Sequence, residues 1–413
     1  MKIRFRIFFT NIFLGLLLWI NFSLYFSQTS PSNNISPKHE CVQRLNFLEE
    51  ELKQEELGLR MQEVFPEGLV FVNVLYGLSW CEVARKCDKE SVLYSRALAE
   101  ARFAFSEIDK DDSKYTFPSY LEPEYGIFYQ GWSNYLLSNI IDIQNSASIT
   151  LEEREASINK CAIISEAFNK SSSPFLETYD EQAWPADASI AIASLSLVPS
   201  SQNEAVVKRW VSNVKNHLDE YTGMIPHKSD PFTGEVIEGA RGCSSSLILR
   251  MLSEIDADFA SEQFELYQKH FMFTRFGLPA IREYPKGKSG WGDIDSGPVV
   301  MGVGFAGTIV AVGVFQKLNE PKLADNLYQT ITSFGLQTQS SNQKKVLWGI
   351  FPMGDAFITW ARLSGSDESS NNSDDNAGNW RSEFHLWSLL FAIILILWQY
   401  RKRIFSKNSP NDK

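Results

Sequence analysis

Two kinds of helical segment alternate along the middle of this chain, and that alternation restricts its possible folds more than any other feature. Segments such as 45–61 (LNFLEEELKQEELGLRM) and 204–221 carry one apolar stripe on a charged cylinder. Segments such as 188–198 (ASIAIASLSLV) and 299–315 (VVMGVGFAGTIVAVGVF) are apolar on every side and rich in small residues. A helix with one apolar stripe covers a surface, whereas one that is apolar all round is enclosed. Periodicity predicts helices near 41–62, 66–83, 89–107, 124–143, 151–169, 182–198, 201–219, 243–256, 257–274, 297–317, 320–336 and 347–362, with few convincing strands. Helices of the enclosed kind start near 66, 124, 182, 243, 297 and 347. That spacing, roughly 50–60 residues, is the spacing of a helical-hairpin array. Six outer–inner pairs predict one all-α domain over residues 38–362, closed into an (α/α)6 toroid; an open solenoid has the same period.

Both ends of the chain are apolar. Three cations in residues 1–6 precede an apolar run at 7–26, the charge order of a secretory signal or a retained anchor. Tyr25 and Phe26 stand where a cleavage site wants small side chains, which favours the retained anchor. Residues 384–400 (FHLWSLLFAIILILWQY) form a second apolar stretch, followed at once by the basic tail 401–413. Its length is at the short end of the ~17–25 residues that span a bilayer. A polar, low-complexity linker at 363–382 precedes it and acts as a spacer. Cations flank the outer end of each hydrophobic segment, so the positive-inside rule puts both tails in the cytoplasm and the domain on the extracytoplasmic side. The net charge is −11 and no Lys/Arg run lies within the domain, which argues against a nucleic-acid partner. The five cysteines leave at least one thiol free.

Loop lengths place a site. Inner-to-outer connections are short, whereas those at 115–123, 171–181, 223–242 and 276–292 are long. In a ring these emerge on one face, beside the N-termini of the inner helices, where helix dipoles favour anionic or oxygen-rich ligands. The loops carry Glu122, Glu124 and Tyr125, with Tyr129 and Trp132 one turn on; then Tyr179, Asp180, Glu181, Trp184 and Asp187. Further along come His227, Glu238, Arg241 and Cys243, then Arg282, Glu283, Tyr284, Trp291, Asp293 and Asp295, and finally Trp348. Carboxylates interleaved with aromatics suit a sugar: flat faces stack on the ring while a pair of acids moves protons.

Asp293 is expected as acid or base, with Asp180 or Glu124 as its counterpart. Tyr125 and Tyr284 are supporting proton donors, and Trp184 and Trp291 are stacking platforms. Tyr129, Tyr179, His227, Arg241, Arg282, Trp348 and Cys243 complete the expected ligand contacts. Several of these have plainer readings. Asp295 caps a helix as readily as it catalyses. Asp187, inside an apolar run, needs a partner such as Arg241 or Arg282 if buried. Cys243, beside Arg241 at a helix start, has an electropositive setting but no obvious base. No metal-ligand spacing or phosphate-loop motif is present, and no cofactor is implied.

This layout resembles the six-hairpin (α/α)6 superfamily, many of whose members are glycoside hydrolases, polysaccharide lyases and sugar epimerases. The motifs at 179–187 (YDEQAWPAD), 239–244 (GARGCS) and 292–298 (GDIDSGP) are similar to the linalool dehydratase-isomerase-like group within it. The resemblance implies either an enzyme acting on an oligosaccharide or a lyase or dehydratase-isomerase acting on a small alcohol. A tethered, non-catalytic binding or scaffold protein is the third possibility.

Overall fold

The computed structural model describes residues 2–29, 37–294, 296–365 and 380–406. Most of the linker, the end of the C-terminal tail and Asp295 lie outside the described residues. After α1 (Lys2–Thr29), the domain begins with the outer helix α2 (Pro37–Gln54), the short α3 (Leu57–Val64) and the inner helix α4 (Gly68–Arg85). The next outer helix is α5 (Val92–Ile108), followed by one turn, α6 (Asp111–Lys114), and the inner α7 (Gly126–Asp142). Outer and inner helices then alternate as α8 (Leu151–Lys170) and α9 (Pro185–Ser196), and α10 (Ser201–Val214) and α11 (Gly242–Ile255). The last pairs are α12 (Ala257–His270) with α13 (Phe305–Lys317) and α14 (Pro321–Phe334) with α15 (Pro352–Leu363). The chain leaves the domain for α16 (Trp380–Ser406).

The ring closes. The inner helices touch in the order α4, α7, α9, α11, α13, α15, and α15 packs back on α4. On the outside, α2 covers both sides of that seam, where Arg44 and Asp355 form a fully buried ion pair at 2.7 Å. Nearly every residue of α4, α7 and α9 is buried, as expected of helices apolar on all sides. The outer α10 buries only Asn203, Val206, Trp210, Val211 and Val214, a single stripe at helical spacing. Aromatic side chains fill the middle of the ring. Phe71 lies 5.1 Å from both Trp132 and Phe357, Trp132 is 6.1 Å from Trp360, and the Arg250 guanidinium sits 4.0 Å from the Trp360 ring.

Two expectations change in detail. The first predicted helix breaks at Glu56, whose φ of 50° is left-handed, giving α2 and α3. Residues 299–304 are a tight hairpin and not helix. It is made by two of the eight short strands among the described residues, all of them in connections between helices.

The first two strands, β1 (Lys228–Ser229) and β2 (Val236–Glu238), pair in the loop before α11. Before α13 come β3 (Met272–Arg275) paired with β4 (Leu278–Ile281), then β5 (Val299–Val300) paired with β6 (Val303–Gly304). Met301 and Gly302 turn that last hairpin with φ of 54° and 87°, the primed-turn geometry that suits two-residue hairpins. The final ribbon, β7 (Thr338–Gln339) and β8 (Lys344–Lys345), precedes α15. All four ribbons lie on the face where outer helices lead into inner ones.

Two helices, over Ile7–Phe26 and Trp380–Tyr400, are long and apolar enough to cross a membrane. They pack on each other: Asn21 and His385 are 2.6 Å apart, and Leu24 is buried with Trp380 and Phe384. Both contacts join the end of α1 to the start of α16, so the pair runs antiparallel. All five cysteines are free thiols.

Candidate functional site

Gly242 opens α11 where there is no room for a side chain; a Cβ there would lie 1.8 Å from the Arg282 carbonyl oxygen. The close approach locks the start of α11 to the segment following β4, and Gly242 N donates to Glu283 O at 2.8 Å. Along that extended segment side chains alternate in direction. Arg282 therefore points outward, its guanidinium 4.1 Å from the Phe273 ring, while Glu283 points inward and is 0% exposed.

Around Glu283 the structure assembles a charged cluster. Arg241, the residue before α11, donates from Nε to Glu283 Oε1 at 2.8 Å and from Nη1 to Asp293 Oδ2. Glu238 lies at the edge of the same guanidinium, 3.5 Å from Nη1. The Cys243 thiol donates to Glu283 Oε1 at 3.0 Å. His227 is buried, with Nε2 3.3 Å from Arg241 Nη1 and Nδ1 3.1 Å from Ser244 Oγ. A guanidinium has only donors, so Nε2 must accept; Nδ1 then carries the proton and donates to Ser244. Ser244 in turn donates to Arg241 O at 3.2 Å. Asp293 is held from its other side by Ser296, whose backbone N–H donates to Oδ1 at 3.0 Å.

These contacts push the two carboxyls apart in acidity. Burial raises Glu283, and it outweighs the opposing bonds from Cys243 and Arg241. Burial acts on Asp293 in the same sense, but the hydrogen bond from Arg241 and the Ser296 N–H overcome it, and this carboxyl falls well below the usual range. Burial, with Arg241 adding to it, lowers His227 to about 3, so the imidazole is neutral. Burial and the neighbouring Glu283 push the Cys243 thiol well above its ordinary value, so it is a thiol and not a thiolate. Two atoms of the cluster, Glu283 Oε2 and Arg241 Nη2, are buried with no hydrogen-bond partner among the described residues. One accepts and the other donates, a combination that suits a hydroxyl group of a ligand.

The remaining expected site residues fall elsewhere. Among the described residues no hydrogen bond or ion pair joins Asp180 or Glu124 to Asp293; both are exposed on their own loops. Tyr129 is buried in the core and donates to Ile108 O at 3.2 Å. Tyr125 starts α7 with φ of 67° and packs edge-on to Tyr129. Tyr179 bonds Glu67 and meets Trp184 edge-on, and Lys228 lies 4.9 Å from the Trp184 ring. Asp187 accepts from Thr178 at 2.8 Å. Trp348 is exposed in the loop before α15.

Tyr284 and Trp291 do adjoin the cluster. Arg241 lies 5.3 Å from the Tyr284 ring, Tyr284 donates to Trp291 O at 2.7 Å, and Trp291 is 92% exposed. Half-buried Leu247 sits one turn along α11 from Cys243, and half-buried Phe71 and Phe357 lie near the starts of α4 and α15. All three pack against the main hydrophobic core.

No protein-family model matches the chain. No curated protein matches its sequence. Among solved structures it is similar to a GH76 alpha-mannanase of Bacteroides thetaiotaomicron, solved as a selenomethionine derivative. The TM-score is 0.46 at 11% identity, with 72% of this chain and 86% of that one covered.

Proposed function

We propose that this chain is a membrane-anchored enzyme of the extracytoplasmic side that acts on a carbohydrate by acid/base chemistry. The observation that carries this reading is the Glu283–Arg241–Asp293 arrangement. Two carboxyls share one guanidinium, yet their surroundings drive their acidities in opposite directions, the pattern of an assigned acid and an assigned carboxylate. Glu283, not Asp180 or Glu124, is then the counterpart of Asp293. Glu283 in its protonated form delivers a proton to the leaving oxygen, and Asp293, kept ionised, stabilises positive charge developing on the sugar ring. Tyr284 and Trp291 are the nearby aromatic faces on which a sugar stacks.

The antiparallel α1–α16 pair, with cations at its far end, supports the extracytoplasmic placement through the positive-inside rule.

A second reading, a dehydratase-isomerase acting on a small alcohol, is favoured by the Cys243 thiol on Glu283. One experiment separates the possibilities. The full chain in detergent and its Glu283→Gln variant are incubated with oligosaccharides and with small terpenoid alcohols, and the products are followed by mass spectrometry. Cleavage with gain of water, lost in the variant, supports the carbohydrate reading. Loss of water from an alcohol moves the assignment to the dehydratase. Binding without turnover in both proteins would sink both enzyme readings and leave a tethered binding module.

A further inference from the structure

Beside the acid/base cluster lies a cavity of about 470 Å³, lined among others by Arg275, Arg282, Lys288, Tyr284, Trp291 and Gly302. No acidic side chain lines it, and none of the three cations has a salt-bridge partner among the described residues. Each is held by an aromatic ring instead: Arg275 by Phe276, Arg282 by Phe273 and Lys288 by Tyr221. In a chain of net charge −11, three uncompensated cations converging on one cavity mark an anion site. Its wall continues into the cluster through Tyr284, whose ring lies against Arg241, and through Glu283 N, which donates to Gly302 O at 3.2 Å.

The other end of this groove reaches the helix pair. At the tip of the β3–β4 hairpin, Phe276 packs against Trp387 and Phe391 of α16, at 5.7 and 5.8 Å between ring centres. A Cβ on Gly277 would lie 2.6 Å from the Trp380 carbonyl oxygen. Arg275, next to that tip, therefore sits beside α16.

We propose that this groove binds the phosphate of a sugar phosphate carried on a membrane lipid, with the sugar directed toward Glu283 and Asp293. This rests on the carbohydrate reading above. One carboxylate is satisfied by a single guanidinium fork, whereas three cations match the several oxygens and higher charge of a phosphate. The hairpin's seat on α16 accounts for a ligand presented from the membrane and not from solution.

The test uses the full chain in phosphatidylcholine nanodiscs, with binding of glucose 1-phosphate measured against glucose and glucuronate. Glucose 1-phosphate is expected to bind at least about tenfold more tightly than glucose, with the preference shrinking as NaCl is raised. Arg282→Gln removes about tenfold of that affinity. Lys288→Gln, at an exposed position that leaves the fold untouched, removes a smaller part. Glucose joined to a prenyl phosphate in the same disc competes with the soluble probe. Equal affinity for glucose, or for glucuronate, overturns the phosphate assignment. Displacement of glucose 1-phosphate by phosphatidylglycerol as effectively as by the prenyl-linked sugar overturns the sugar assignment in favour of bulk headgroups. A phosphate preference without turnover of any sugar would sink the acid/base reading and leave the groove; turnover of neutral glycans with no phosphate preference would do the reverse.

Discussion

Cys243 donates its thiol proton to Glu283 Oε1 across 3.0 Å, so the thiol stabilises the ionised form of a carboxyl whose pKa burial raises. Cys243→Ala removes that donor and raises Glu283 further. If protonated Glu283 is the acid, the alkaline limb of the kcat/KM profile moves to higher pH in the variant. An unchanged profile would exclude Glu283 as the titrating acid.

Arg241 is buried between two carboxyls and an imidazole. Arg241→Met leaves Glu283 and Asp293 without their shared cation, and removing one partner of a buried pair costs about 3–5 kcal/mol. Chemical denaturation should show a loss of that order together with loss of activity. Arg241→Lys should recover part of the stability, but not the two-sided grip, because an ammonium has no planar fork.

Much of the architecture was legible in the sequence, because alternation between striped and all-round apolar helices is a burial pattern written residue by residue. Loop asymmetry likewise pointed to the face that carries the charged cluster. The pairing within that face was not legible. Asp180, Glu124 and Glu283 look alike as loop acids; what separates them is that Glu283 lies on an extended segment locked to Gly242, where the alternation turns it inward. Nothing in the neighbouring residues signals that contact, which arises from a close approach between segments 40 positions apart, as Cys243 and Glu283 are. The run at 299–304 read as helix because it is apolar. The left-handed pair Met301–Gly302, visible only in the backbone, makes it a hairpin.

His227 is neutral in the folded protein, lowered to about 3 from an ordinary value near 6.5. A depressed folded-state value contributes stability that is complete above the unfolded value and is lost as pH falls toward the folded one. Stability should therefore decline progressively from about pH 6.5 toward pH 3. In His227→Gln, which keeps a polar side chain but cannot titrate, thermal denaturation should show a shallower decline over that window. An identical pH dependence in both proteins would assign the acid lability elsewhere.

At the ring's seam, Arg44→Met strands Asp355 in the core and should destabilise by about 3–5 kcal/mol in urea titrations. The double variant Arg44→Met/Asp355→Leu replaces both charges with apolar groups and should recover most of that loss. If the double variant is as unstable as the single, the pair's contribution lies in its geometry and not in compensation of charge.

That seam also orders events in time. Arg44 and Asp355 are 311 positions apart, and the last inner helix must meet the first outer one before the ring exists. Local hairpins can form as they are synthesised, but closure waits for the sixth, and contacts between distant parts of a chain are slow to form. Until then the exposed sides of α2 and α4 are unprotected apolar surface. A nascent chain that stalls before α15 is a substrate for chaperones or proteases, and the final hairpin acts as the quality checkpoint for everything made before it.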